Sequence, residues 1–330
     1  MQIFFAAFRY NMSKMQTLTT KYVFICALIM VLLCCILIGQ RYNSVHRSSI
    51  PVQRTSLYDE LFESARNIFS YESPLPKWPP PNSYLNKFAM LPPLFEWNVE
   101  KQTQLWKQFI NKDFVQPAYH DMLRDHGGMY PDLDRVTLFC MILEFKPNAI
   151  VEIGSGESTH VAQKALQLLD KKYDHLVIEP YRASADRTEM KVIEKEAQTW
   201  EWYIYDTLNE NDILFIDSSH VLMPYGYTLT EMISILPRLN KGVLVHIHDI
   251  FLPFDYMPDW GDKNKVYTEQ WLVALLLYGN QDWEVIWGSR LMMQEHSEVL
   301  LEMPKYPLNK GQVTPNGGSL WIKKKGNPTT

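Results

Sequence analysis

The stretch AIVEIGSGESTHVA, residues 149–162, decides the fold. An apolar, β-rich run enters Gly154-Ser155-Gly156, and helical apolar spacing begins directly after it. That pattern predicts a buried strand that turns on glycines and opens a helix. Gly154 and Gly156 would let the backbone approach a ligand closely, and Ser158 or Thr159 would cap the helix.

Working outward, NAIVEI belongs to a series of five such runs, with DHLVIEP, NDILFIDS, GVLVHIHD and WEVIWGS following it. Helical patterns such as THVAQKALQLLD separate most of them. Near-continuous apolar strands that alternate with helices predict a doubly wound, Rossmann-like α/β sheet, mostly parallel and covered on both faces. A last run, SLWIKK, is expected to return antiparallel at the edge. Upstream, DRVTLFCMILEF (134–145) has helical spacing and stops before Lys146-Pro147.

The 330 residues are 46% hydrophobic, enough for one large domain or two small ones. The net charge of -5 offers no basic face for nucleic acid. Of four cysteines, only Cys140 lies beyond the first forty residues, so there is neither a disulfide framework nor a zinc-ligand spacing. Cys140 is expected in the core.

YVFICALIMVLLCCILIG (22–39) is eighteen uncharged residues, near the ~20 that a membrane-crossing helix needs. It is longer than the usual core of a cleaved signal peptide. The expectation is an uncleaved single-pass signal-anchor behind an N-terminal tail (1–21), followed by a proline-rich stem (40–95) and a catalytic domain (96–330). Arg9, Lys14 and Lys21 precede the span and Arg41, Arg47 and Arg54 follow it, so charge does not set the orientation. The layout favours a type II protein, in the Golgi or ER of a eukaryote or the inner membrane of a bacterium.

The glycine turn could hold a nicotinamide dinucleotide, a nucleoside triphosphate, S-adenosylmethionine or nothing. No GK[ST] follows, which argues against a triphosphate. Glu152 just before the turn would repel a pyrophosphate but attract the ammonium of a methionine moiety. Glu179 ends the second strand, where a carboxylate can accept both ribose hydroxyls. The pair favours S-adenosylmethionine over NAD.

VEIGSGEST, HLVIEPY, NDILFIDSSH and GVLVHIHDIFLPFDY together resemble the successive motifs of the class I S-adenosylmethionine-dependent methyltransferases, in the broad group acting on small molecules and sugars. The resemblance covers roughly residues 115 to 324. It implies a seven-stranded sheet with one antiparallel strand, and cofactor contacts at Glu152, Gly154, Ser155, Gly156 and Glu179. It does not name the acceptor.

Two chemistries follow for the strand ends. By position, Asp217, His248 and Asp249 match the divalent-metal ligands of catechol-type enzymes, although a histidine at 248 suits magnesium poorly. Alternatively His220, oriented by Asp217 or Asp249, takes the acceptor's proton without a metal. His246 reads as structural. The aromatic segment after Asp249 offers Tyr256, Trp260 and Tyr267 for stacking on a ring. Glu269 and Gln270 begin the next helix within possible reach of the pocket.

The combined expectation is a membrane-anchored O-methyltransferase acting on a sugar or glycan hydroxyl. Rival readings are a methyltransferase for a small phenol, lipid or peptide group, a tethered module that binds S-adenosylmethionine without turnover, and a nicotinamide oxidoreductase. The partners expected are a small-molecule or glycan acceptor and, through 22–39, a membrane. Oligomeric state is not legible.

Overall fold

The computed structural model describes residues 95–110, 130–181, 190–199, 202–257, 260, 265–301 and 317–326. Seven strands form one sheet in the order β3-β2-β1-β4-β5-β7-β6. They are β1 (Ala149–Ile153), β2 (Asp174–Ile178), β3 (Lys191–Ile193), β4 (Ile213–Ile216), β5 (Leu244–Ile247), β6 (Trp283–Gly288) and β7 (Leu320–Lys324). Only β7 runs antiparallel to its neighbours, β5 and β6. SLWIKK therefore lies inside the sheet rather than at its edge, and β6 takes the edge. The short KVI strand has only three residues and carries no periodic signal in the sequence.

The helices are α1 (Val99–Ile110), α2 (Asp132–Phe145), α3 (Glu157–Gln167), α4 (Tyr203–Asp206), α5 (Tyr227–Thr230, running on into a π-turn), α6 (Glu269–Leu277), α7 (Ser289–Glu295) and α8 (Ser297–Leu301). α2 begins two residues before the expected Asp134. Strand alternation sorts the core into two layers. Ile150, Phe215, Leu244 and Trp321 pack with α2 and α3, and Cys140 is buried among them. Val151, Ile153, Leu214, Ile216, Val245 and Ile247 pack on the other face. Trp106 of α1 stacks on Trp287 of β6 at 5.3 Å, closing the first layer beside the edge strand.

Alternation also gathers polar residues on the α2–α3 face. Glu152 meets His175 at 3.1 Å, and His246 meets the Ser319 hydroxyl at 2.7 Å while stacking on Phe215. His246 is fully buried, and burial pushes its pKa down to about 3, so it is a neutral core residue.

The expected transmembrane helix needs correction. Among the described residues no helix is long and apolar enough to cross a membrane. The apolar run 22–39, the tail and the stem up to residue 94 lie outside the described residues. Among the described residues the fold is the seven-stranded sheet with its helices and includes no membrane-crossing helix, so the expected single-pass membrane localisation is not supported.

The chain reverses its direction of strand growth between β1 and β4, the place where such sheets bind ligands. Gly154 seals this point. Its φ is +89°, and a Cβ there would sit 2.1 Å from the carbonyl oxygen of Asp217. Backbone bonds from Gly154 N to Ile178 O and from Asp217 N to Ile153 O, each 3.0 Å, continue the ladder to this point. A Gly154→Ala change should therefore destabilise the domain by on the order of 2 kcal/mol or more, from a strained φ and a backbone clash. Gly156→Ala should cost little, because its φ is extended and a Cβ meets nothing within 4 Å. Urea unfolding of the two variants checks this; equal midpoints would refute it.

Candidate active site

A cavity of about 770 Å³ opens at the carboxyl ends of β1, β4 and β5. Its walls come from the glycine turn (Ser155, Gly156), the β4 end (Asp217 to His220), the β5 end (His248, Asp249), the aromatic segment (Trp260, Lys265, Tyr267) and Arg290 of α7. The size suits one cofactor or drug-sized ligand.

The glycine turn is held from below. Glu152 is buried and accepts hydrogen bonds from the hydroxyls of Ser158 (2.8 Å) and Thr159 (2.9 Å). Its other oxygen faces His175. Glu152 thus holds the turn and its helix rather than lining the cavity. Ser158 and Thr159 lie inside α3, and Gly156 takes the cap position, its N–H donating to Thr159 Oγ1 at 3.0 Å. Gly156 leaves open space where a side chain would project.

Glu179 sits at the end of β2, as expected. It accepts from Ser155 N (3.0 Å), Ser155 Oγ (3.2 Å) and Tyr181 N (2.9 Å). A carboxylate offers about four lone-pair sites, so one remains for a ligand hydroxyl. Ser155 and Gly156 are on the cavity wall, while Gly154 and Glu179 stand just behind them. Glycine backbone with an open flank, an α3 N-terminus and a carboxylate at the second strand's end fit S-adenosylmethionine.

The strand ends bring Asp217, His220, His248 and Asp249 together. His220 and Asp249 both adopt positive φ, 56° and 55°, turning sharply as their strands end. Such conformations in residues other than glycine concentrate at functional sites. His220 Nε2 is 3.1 Å from Asp217 Oδ1 and 3.8 Å from Asp249 Oδ2, while its Nδ1 lies 2.8 Å from Glu269 Oε2. His248 Nδ1 is 3.5 Å from Asp217 and 3.7 Å from Asp249, and its Nε2 is 3.5 Å from Asp134.

The charges follow from these contacts. Burial opposes a charge on His220, but hydrogen bonds to Asp217 and Glu269 outweigh it and raise its pKa to about 10. Burial likewise opposes charge on His248, and Asp217 and Asp134 raise it well above the usual value. Burial would raise Asp217, yet His248 and His220 hold it well below the usual range. Asp249 is the exception: burial raises it despite both imidazoles. Behind His220, burial and the charge of Glu269 push Glu231 up to about 8, which keeps it neutral at pH 7.

This donor set does not fit a metal. An imidazole must be neutral to ligate, and His220 and His248 each lie between carboxylates that favour a proton on the ring. Among the described residues no group of three or more His, Cys, Asp or Glu is placed to hold one. Asp217, His248 and Asp249 form a salt-bridge network instead. Both ring nitrogens of His220 face carboxylates, an arrangement that favours the protonated ring over a free base.

Three residues escaped the sequence reading. Asp134 is fully buried in α2, where it accepts from Gly318 N (2.8 Å) and Ser319 N (3.1 Å) and faces His248. An acid inside an apolar helical run was its only signal. Arg290 and Lys265 had none, because the fold alone carries them to the cavity. Of the aromatic candidates, Trp260 and Tyr267 line the cavity, whereas the Tyr256 hydroxyl accepts from Gln270 N at 3.1 Å. Gln270 accepts from Phe251 N and serves the loop.

Residues 151–250 match the model of a family described as a methyltransferase domain. An uncharacterized protein of Archaeoglobus fulgidus is 30% identical over 95 residues, which cover 27% of this chain and 43% of that protein. The match thus spans less than half of that relative's length. Among solved structures, the S-adenosylhomocysteine-bound methyltransferase PaMTH1 of Podospora anserina is 14% identical, with a TM-score of 0.36 over 84% of this chain and 99% of that one. The plantazolicin methyltransferase BpumL is also 14% identical, with a TM-score of 0.31 over 69% of this chain and 96% of that one. Residues 151–250 thus share with that family the likeness to a methyltransferase domain that the sequence motifs carry.

The raised pKa of His220 makes a stability prediction. An unfolded histidine titrates near 6.5, and the folded value is about 10. The ion pairs with Asp217 and Glu269 therefore contribute fully below pH 6.5 and are lost as pH rises towards 10. Urea midpoints of the native protein should fall across this window more steeply than those of His220→Gln. Parallel curves would show that His220 is not held as a cation.

Proposed function

We propose that this methyltransferase-domain chain moves a methyl group from S-adenosylmethionine to a hydroxyl oxygen of a small-molecule acceptor. The observation that carries the reading is one continuous cavity, with the open glycine turn at one side and the Asp217–His220–His248–Asp249 network at the other. S-adenosylmethionine supplies an electrophilic methyl carbon and departs as S-adenosylhomocysteine. Ser155, Gly156 and Glu179 would hold it, with Glu152 fixing the turn.

The chain's own residues then handle the proton. Asp249 is the carboxylate with a raised pKa that also lines the cavity, so it suits the task of accepting the acceptor's hydroxyl proton. His220 and His248 flank it and hold its carboxyl in place. Asp217, clamped between the two imidazoliums, fixes them both. Trp260 and Tyr267 give a hydroxylated ring a surface to lie on, which favours a sugar or a phenol over a flexible chain. A binding module without turnover is the rival that the same cavity allows.

Asp249→Asn keeps the shape and removes the proton acceptor. In transfer assays with methyl-labelled S-adenosylmethionine and a panel of sugars and phenols, turnover should fall by about 10²–10⁴. Calorimetric affinity for S-adenosylmethionine should stay within about twofold. Full activity of the variant would remove Asp249 from the mechanism. Cofactor binding with no labelled product from any acceptor would favour the binding module.

A further inference from the structure

The acceptor's side of the cavity carries cations as well as aromatic rings. Lys265 Nζ lies 4.7 Å from the centre of the Trp260 ring and 5.7 Å from that of Tyr267. Trp260 packs edge-on against Phe251 at 4.9 Å, and the guanidinium of Arg290 sits 4.9 Å over the other side of that cluster, on Phe251. Arg290, Phe251, Trp260, Lys265 and Tyr267 all line the cavity. The sequence therefore builds a wall of two cations and three rings from two separate elements, the aromatic segment and α7.

The two cations are held differently. Arg290 is 7% exposed and lies in the electrostatic range of Asp134. Lys265 is half-buried, and among the described residues no carboxylate lies within ion-pair distance of its ammonium. Asp249 acts on it only through space. An ammonium parked over two rings beside a cavity is poised for an anion. Rings on each side would lower the local dielectric and strengthen the attraction.

We propose that the methyl acceptor is an anionic hydroxylated ring, whose carboxylate or phosphate pairs with Lys265 while its hydroxyl reaches Asp249. The inference rests on the methyltransferase reading for the role of Asp249, but the anion site itself does not depend on turnover. Arg290 supplies the second positive charge on the same wall. A neutral acceptor would gain only the stacking on Trp260 and Tyr267. An acceptor with an anion gains a second fixed point, and two fixed points orient the hydroxyl.

The test uses the full chain with three small probes: benzoate, its neutral counterpart benzyl alcohol, and inorganic phosphate. Binding is followed by calorimetry in the presence and absence of S-adenosylhomocysteine, for the native protein, Lys265→Met and Lys265→Arg. Benzoate should bind at least tenfold more tightly than benzyl alcohol. Lys265→Met should abolish that preference, and Lys265→Arg should keep most of it. Benzoate stronger than phosphate would assign a carboxylate, and the reverse a phosphate ester. Equal binding of benzoate and benzyl alcohol, binding of neither anion, or a preference that survives Lys265→Met would each overturn the proposal. Absence of S-adenosylhomocysteine binding with a Lys265-dependent preference for benzoate would instead overturn the methyltransferase reading and leave the anion site standing.

Discussion

The structure turns on the contact between Gly154 and the carbonyl of Asp217. The first strand must stop, reverse and start a helix while touching the end of its neighbour β4. No side chain fits between them. This contact places the glycine turn against the strand-end cluster of Asp217, His220, His248 and Asp249. If it loosened, Ser155 and Gly156 would part from Asp217 and His220, and the cavity would no longer be one space.

A buried polar layer then fixes the mouth. Asp134 of α2 ties the start of β7 to His248 of β5, and Glu269 of α6 ties down His220. Breaking a buried pair by removing one partner costs about 3–5 kcal/mol, since a charge is left without compensation. The network is therefore expensive to disturb, and its geometry stays narrow. It also decides the chemistry. Carboxylates raise the pKa of both histidines, and Asp249 is the group we propose to take the acceptor's proton.

Much of this was legible in the sequence and some was not. Strand runs such as NDILFIDS and the turn GSGEST are local signals, because apolar periodicity and glycine conformation act over a few residues. They yielded the sheet, the switch point and the grouping of Asp217, His220, His248 and Asp249 at one mouth. Glu152 was legible as special but not in its role, since nothing local shows that Ser158, Thr159 and His175 consume its lone pairs. Protonation depends on partners far apart in sequence, such as Glu269 for His220 and Asp134 for His248. The roles expected of His220 as a base and His248 as a metal ligand took no account of those distant carboxylates. SLWIKK sits between β5 and β6 because pairing order is a tertiary choice that no strand encodes alone. Hydrophobicity of the run 22–39 suggested a membrane helix, and no helix among the described residues answers to one.

The central claim is that the glycine turn holds S-adenosylmethionine. The most direct measurement is calorimetric titration of the full chain with S-adenosylmethionine and S-adenosylhomocysteine, with NADH as the control. The account predicts one site per chain with affinity on the order of micromolar for both sulfur compounds, and no comparable binding of NADH. A folded protein that binds neither sulfur compound, or that binds NADH in their place, would contradict it.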